Sequence, residues 1–171
     1  MSHLTIKEAS PSDFEKIEDL FIASCNKQQA LQCTDIWPKA SVANLNLQEK
    51  QQAGRLFSID VNGQFAGSFS LAATDEIIWP ESKHANDAIY INKFMLHEKF
   101  TGMGITQKAI SWIAQFSKNS GYSYLRLDCY NSADKLKLLY EKVGFTPSGT
   151  EKNSEGVLMQ RYELPLKKEA F

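Results

Sequence analysis

The sequence predicts an α/β fold of the α+β kind, one mixed β-sheet with helices on both faces. Three observations predict it. Segments 55–61 and 65–73 have strand composition and flank Asn62-Gly63, the dipeptide best suited to a two-residue hairpin turn. An apolar strand at 88–97 runs into a glycine-containing turn and then an amphipathic segment at 105–118. A strand at 122–129, a helix at 133–143 and two closing strands, one starting at Phe145 and one at 156–163, complete the order. A hairpin followed by strands alternating with helices argues for a single mixed sheet. The crossover from the 88–97 strand to the 122–129 strand is expected to be right-handed and the pair parallel.

The elements follow in chain order. Residues 4–9 alternate and read as a first strand. In Ser10-Pro11-Ser12-Asp13, Ser10 suits a helix cap, Pro11 the first helical position, and Asp13 a carboxylate reaching back to free amides. Phe14, Ile17, Leu20, Phe21 and Ser24 then keep helical spacing, to about residue 27. Asp35-Ile36-Trp37-Pro38 reads as a bend. Residues 42–54 read as a helix ended by Gly54. The polar stretch 75–87 is expected to be an exposed excursion, and residues 167–171 a tail. Without a linker or repeat, residues 1–171 form one expected domain.

Composition narrows the function. Of the 171 residues, 43% are hydrophobic and 23% charged, the balance of a folded protein. A formal net charge of -1 speaks against nucleic acid as partner, because that binding rests on excess Lys and Arg. Cys25, Cys33 and Cys129 are odd in number and form no CxxC pair, which points to reduced thiols and a cytoplasmic setting. No apolar run approaches the ~20 residues that span a bilayer, and the first residues do not read as a signal peptide. No membrane partner is expected. His3 and His84 stand alone, and no metal site is expected.

The chemistry concentrates where the 88–97 strand meets Gly102-Met103-Gly104 and a helix. A helix start exposes unpartnered amides, its dipole adds partial positive charge, and glycines let an anion come close. Two nucleotide motifs fail here. A dinucleotide fingerprint needs a third glycine where Gln107 stands, and a P-loop needs a lysine that Gly104-Ile105-Thr106 lacks.

The segment YINKFMLHEKFTGMGIT, Tyr90 to Thr106, resembles the central motif of the GNAT superfamily of N-acetyltransferases. IKEASPSDFEKIEDL, from Ile6 with its Asp13, resembles the opening strand and helix of that family. LRLDCYNSADKLKLLYEKVGF, Leu125 to Phe145, resembles its closing motif. The resemblance implies a sheet of about six to seven mostly antiparallel strands, with one parallel pair at a cofactor cleft. It implies acetyl-CoA as acyl donor, held by Lys99, Phe100, Thr101, Gly102, Met103, Gly104, Ile105 and Thr106. Phe94, Met95 and Leu96 would lie along the pantetheine arm, with the Leu96 amide facing the thioester carbonyl as oxyanion donor. Tyr140 would give a proton to the departing thiolate. Asn131 either serves the pantetheine or shapes the turn into the next helix, and Lys135 reads as a solvated lysine.

The loop departs from the family pattern. Lys99 stands at the usual Gln/Arg position, Thr101 replaces a common arginine, and Glu98 replaces a frequent proline. Amides and the Thr101 and Thr106 hydroxyls are then expected to carry more of the holding. For a general base, Asn92 is disqualified by its amide, which leaves Asp75, Glu76 and His97 as candidates. Trp37, Phe69, Trp79 and Tyr90 could line an acceptor pocket or pack the core. The expected function is acetyl transfer to a primary amine by direct attack, in a monomer or homodimer. An idle acyl-CoA-binding sensor of the same fold is the alternative.

Overall fold

The structure, a computed structural model, describes residues 2–30, 42 and 45–166. Seven strands form one sheet: β1 (Leu4–Glu8), β2 (Leu56–Val61), β3 (Gln64–Ala72), β4 (Ala88–Leu96), β5 (Tyr124–Tyr130), β6 (Thr146–Lys152) and β7 (Leu158–Pro165). Their order is β1-β2-β3-β4-β5-β7-β6. The β4–β5 pair is parallel, over Ala88–Tyr90 against Tyr124–Arg126, as the crossover rule required. The pairs β1–β2, β2–β3, β5–β7 and β6–β7 are antiparallel. The helices are α1 (Phe14–Ala30), α2 (Leu47–Gln52), α3 (Ile105–Asn119) and α4 (Asp134–Val143). Among the described residues no helix is long and apolar enough to cross a membrane.

Contacts divide the chain into two compact units, 1–70 with 93–106, and 71–92 with 107–171. In the first, Asn62 and Gly63 both take positive φ, 51° and 80°, the combination a type I′ hairpin turn demands. The Asn62 side chain also accepts the His3 amide at 2.8 Å, which ties β1 to the turn. Asp13 reaches back as expected: its carboxylate accepts the Ser10 amide at 2.9 Å at the entrance to α1. Ile17, Leu20, Phe21 and Cys25 of α1 then share one core with Leu47, Leu56 and Met95. Phe57 and Phe69 face each other across β2 and β3 and stack at 5.1 Å, with Phe94 6.1 Å from Phe69. This assigns Phe69 to packing. The helix expected over 42–54 is shorter, because Asn46 sits at φ 51° immediately before α2 and no helix continues through that conformation. Trp37, Asp35 and Cys33 lie outside the described residues.

In the second unit, Ala109 and Ile113 of α3 and Leu125 of β5 are fully enclosed. Gly144 ends α4 at φ 117°, and the amides of Gly144 and Phe145 both bond the Tyr140 carbonyl. The stretch 75–87 is largely exposed, as its polarity suggested, but it is pinned at three buried residues. Ile78, Trp79 and Ser82 are buried, Trp79 to 1% exposure. Asp75 builds a turn whose carbonyl takes the Trp79 amide and whose carboxylate takes the Ile78 amide. The guanidinium carbons of Arg126 and Arg161 lie 4.7 and 4.3 Å from the Trp79 ring centre. Cations on strand surfaces thus cover Trp79, which favours the packing role over the acceptor-pocket role the sequence left open.

Candidate functional site

The first unit supplies a loop built to present amides. The His97 amide donates to the Ala66 carbonyl at 2.7 Å. Alternation along a strand turns the neighbouring Leu96 amide to the opposite edge of β4. The Met95 carbonyl oxygen lies where a side chain on Gly67 would stand, so β3 and β4 approach closely only because residue 67 is glycine.

Beyond β4 the chain makes a single 3-10 turn, Glu98–Phe100. His97 Nδ1 accepts the Lys99 amide at 3.1 Å, and the amides of Phe100 and Thr101 bond the His97 and Glu98 carbonyls. Phe100 is buried and anchors the turn. The Lys99 ammonium donates to Gln64 Oε1 at 2.9 Å and lies 5.5 Å from the Phe100 ring centre. The Thr101 hydroxyl donates to the Glu98 carbonyl at 2.8 Å, so its proton shapes the loop. That leaves the Thr106 hydroxyl as the better placed of the two for an anion.

The next residues differ in kind. Gly102, Met103 and Gly104 are exposed, and their amides have no acceptor among the described residues. Gly102 and Gly104 take φ of 77° and 74°, which bends the chain so that successive amides precede α3. The amides of Ile105 and Thr106 begin that helix and have no intrahelical acceptor. The first turn of α3 contains no acidic residue. A run of donors at a positive helix end, without a competing carboxylate in that turn, suits a pyrophosphate.

Tyr140 lies in the second unit. Its ring packs against Phe145 at 5.9 Å and Tyr162 at 5.8 Å. Its hydroxyl has no hydrogen-bond partner among the described residues. Burial, with Cys129 and Asp128 adding to it, holds the phenol well above its ordinary range. Nearby, burial pushes the Cys129 thiol up to about 11. Burial and the bond to Glu141 push Tyr162 up to about 12. Asn131 bonds the Leu158 carbonyl through its amide and accepts Lys137 Nζ at 2.8 Å on its side chain. These bonds favour the turn-shaping role over a ligand role. Lys135 is exposed, as expected of a solvated lysine.

Of the base candidates, Glu76 is exposed, Asp75 serves its turn, and His97 holds the Lys99 amide. Sequence reasoning passed over two cations that the structure makes prominent. Arg126 and Arg161 enclose Trp79. For the arginines a signal existed: Arg126 alternates with the apolar Leu125, Leu127 and Cys129 along one strand.

Comparison with known proteins follows this geometry. Residues 17–145 match the family described as the acetyltransferase (GNAT) family. No curated protein sequence matches the chain. Among solved structures, an acetyltransferase of the GNAT family from Streptococcus agalactiae is similar, with a TM-score of 0.78 and 16% identity, covering 97% of this chain and 96% of that one. A GNAT family acetyltransferase from Listeria monocytogenes gives a TM-score of 0.77 and 23% identity, with 95% of each chain covered. The Salmonella typhimurium protein yncA, solved with its cofactor acetyl-CoA, gives 0.71 and 16%, covering 98% of this chain and 96% of its own. At these identities the structural likeness speaks for the fold.

Proposed function

Because the chain belongs to the GNAT acetyltransferase family, we propose that it transfers an acetyl group from acetyl-CoA to a primary amine by direct attack. The observation that carries this reading is the run of unpartnered amides from Gly102 to Thr106 at the start of α3. The residues fit the group: the glycines keep the approach open, and a Cβ at either would meet nothing within 4 Å. Acetyl-CoA supplies the thioester whose C–S bond breaks as the C–N bond to the amine forms.

The chain's own residues do the rest. Gly102, Met103, Gly104, Ile105 and Thr106 hold the pyrophosphate through their amides, helped by the Lys99 charge and the Thr106 hydroxyl. Phe94, Met95 and Leu96 orient the pantetheine through the free edge of β4, and the Leu96 amide donates to the carbonyl oxygen as charge gathers on it. The acceptor's ammonium first loses a proton to water. The neutral amine then attacks, the second proton lost from its nitrogen passes through solvent to the departing thiolate, and Tyr140 hydrogen-bonds that sulfur as it leaves. A phenol held above the usual range keeps its proton against a thiolate whose thiol titrates near ~8.5. Tyr140 therefore acts mainly as a hydrogen-bond donor that lowers the cost of the leaving thiolate.

The test is thiol release from acetyl-CoA with a panel of primary amines. Release should require an amine and should fall about 100-fold or more in Tyr140→Phe. Tight acetyl-CoA binding with no release across the panel would favour the sensor of the same fold. Failure to bind coenzyme A in any form would remove both readings.

A further inference from the structure

The turn between β2 and β3 carries a reactive pair. Asn62 and Gly63 are both exposed, and a Cβ placed on Gly63 would meet nothing within 4 Å. Asparagine is among the side chains least durable in water. The nitrogen of the following residue can add to its Cγ and expel the side-chain nitrogen as ammonia. Glycine in the following position makes this fastest, because no Cβ shields the attacking nitrogen. The Gly63 amide has no hydrogen-bond acceptor among the described residues.

The folded turn holds this reaction back. The Asn62 amide donates to the His3 carbonyl, and Asn62 Oδ1 accepts the His3 amide, each at 2.8 Å. With φ of 51° and 80° at its two central residues the turn is of type I′, for which ψ of the first is about 30°. At that ψ the Asn62 Cβ stands nearly opposite the Gly63 nitrogen across the Cα–C bond. Ring closure needs the two nearly eclipsed. The main chain cannot rotate so far while His3 holds both the amide and the side chain of Asn62. The bond to Oδ1 also polarises Cγ, which favours attack, but this gains nothing while the nitrogen faces away. β1 is an edge strand that pairs with β2, and its Leu4 stands against Val61 immediately before the turn. Edge strands open at lower cost than the centre of a sheet.

We infer that Asn62 is a modification site at which the chain deamidates itself, and that the latch formed by His3 of β1 sets the rate. A bond forms between the Gly63 nitrogen and Asn62 Cγ as that nitrogen loses its proton. The Cγ–Nδ2 bond breaks, ammonia leaves, and a five-membered succinimide remains. Water then opens either C–N bond of the ring, giving aspartate or isoaspartate. No other reactant is needed. Aspartate keeps an acceptor for the His3 amide and suits the same turn. Isoaspartate adds a methylene to the main chain between Val61 and Gln64, which pair with each other across the hairpin. The two-residue turn then no longer closes in register.

The test is peptide mass spectrometry on protein aged in mildly alkaline buffer, with and without urea. Asn119, Asn131 and Asn153 each precede serine and serve as internal references. In the unfolded chain Asn62 should deamidate several-fold faster than any of the three. In the folded protein it should be at least tenfold slower than in the unfolded chain. His3→Pro, which has no N–H to give, should raise the folded rate at least threefold and leave the unfolded rate unchanged. An unfolded rate at Asn62 no higher than at the references, or equal rates folded and unfolded, would overturn the inference. So would a folded His3→Pro that ages like the wild type. A second measurement needs no variant. In urea well below the unfolding midpoint the wild-type rate should already climb, because opening of β1 is a local event. A rate that stays flat until the whole chain unfolds would overturn the role of the latch. Asn62→Asp, the aspartate product made directly, should melt close to the wild type, and aged protein enriched in isoaspartate should melt lower. Equal melting of the two would overturn the loss of register.

Discussion

Arg161 places its guanidinium carbon 4.3 Å from the centre of the Trp79 ring and bonds the Ser148 carbonyl through Nε at 3.0 Å. The same side chain reaches the Ile78 carbonyl and pairs with Glu81 at 3.2 Å. One arginine thus ties the 75–87 stretch to β6 and β7. Trp79→Ala is expected to cost about 3–5 kcal/mol, as for other enclosed aromatics. Arg161→Ala should cost about 1–3 kcal/mol through lost cation–π contact and bonds. Trp79→Phe should be milder than Trp79→Ala, because the buried indole nitrogen it removes has no partner. Urea denaturation of the three variants gives the ranking.

Gly67→Ala forces a Cβ against the Met95 carbonyl oxygen, a main-chain atom fixed in β4. The strands must separate to admit it, at about 1–3 kcal/mol. The displaced strand carries Phe94, Met95 and Leu96, so acetyl-CoA affinity should fall along with stability. Thermal melts and calorimetric titration on one preparation measure both. Undiminished affinity would mean that this edge of β4 does not hold the pantetheine.

At Gly104 the cost has another origin. A Cβ there meets nothing, but φ of 74° is unfavourable for any side chain. Gly104→Ala should destabilise by about 1–2 kcal/mol and weaken acetyl-CoA binding, while Gly104→Asn should be better tolerated. If both variants bind acetyl-CoA as the wild type does, the anion cradle is elsewhere.

Stability should decline in alkali. Burial raises Cys129 to about 11 and Tyr162 to about 12, and it raises Tyr140 further. The unfolded chain releases these protons at ordinary values, so the folded state keeps its full stability below about pH 9 and loses it as pH climbs through the folded-state values. Cys129 ionises first on unfolding. Urea midpoints taken near pH 8 and near pH 10.5 should differ less in Cys129→Ala than in wild type, by about 2 kcal/mol in unfolding free energy. Equal losses in the two proteins would place the alkaline sensitivity elsewhere.

Much of this was legible in the sequence because local rules decided it. Asn62-Gly63 demands one turn, Asp13 closes a cap, and Gly102-Met103-Gly104 before a helix presents amides, whatever the rest of the chain does. What the sequence left open depended on partners distant in sequence. Trp79 is buried because Arg126 and Arg161 come to it from strands 47 and 82 positions away. The helix over 42–54 was overextended because its periodicity ignores the left-handed conformation that Asn46 adopts.

The cradle of amides at Gly102–Thr106 has a consequence for how such sequences drift. Every residue except proline brings the same N–H to the loop. Side chains at Lys99, Thr101 and Met103 can therefore be exchanged without removing a single main-chain donor, whereas Gly102 and Gly104 are held by their backbone angles. A row of donors set by the main chain leaves little imprint on residue identity. The fold itself tolerates such exchange: the Listeria monocytogenes structure keeps it at a TM-score of 0.77 with 23% identity.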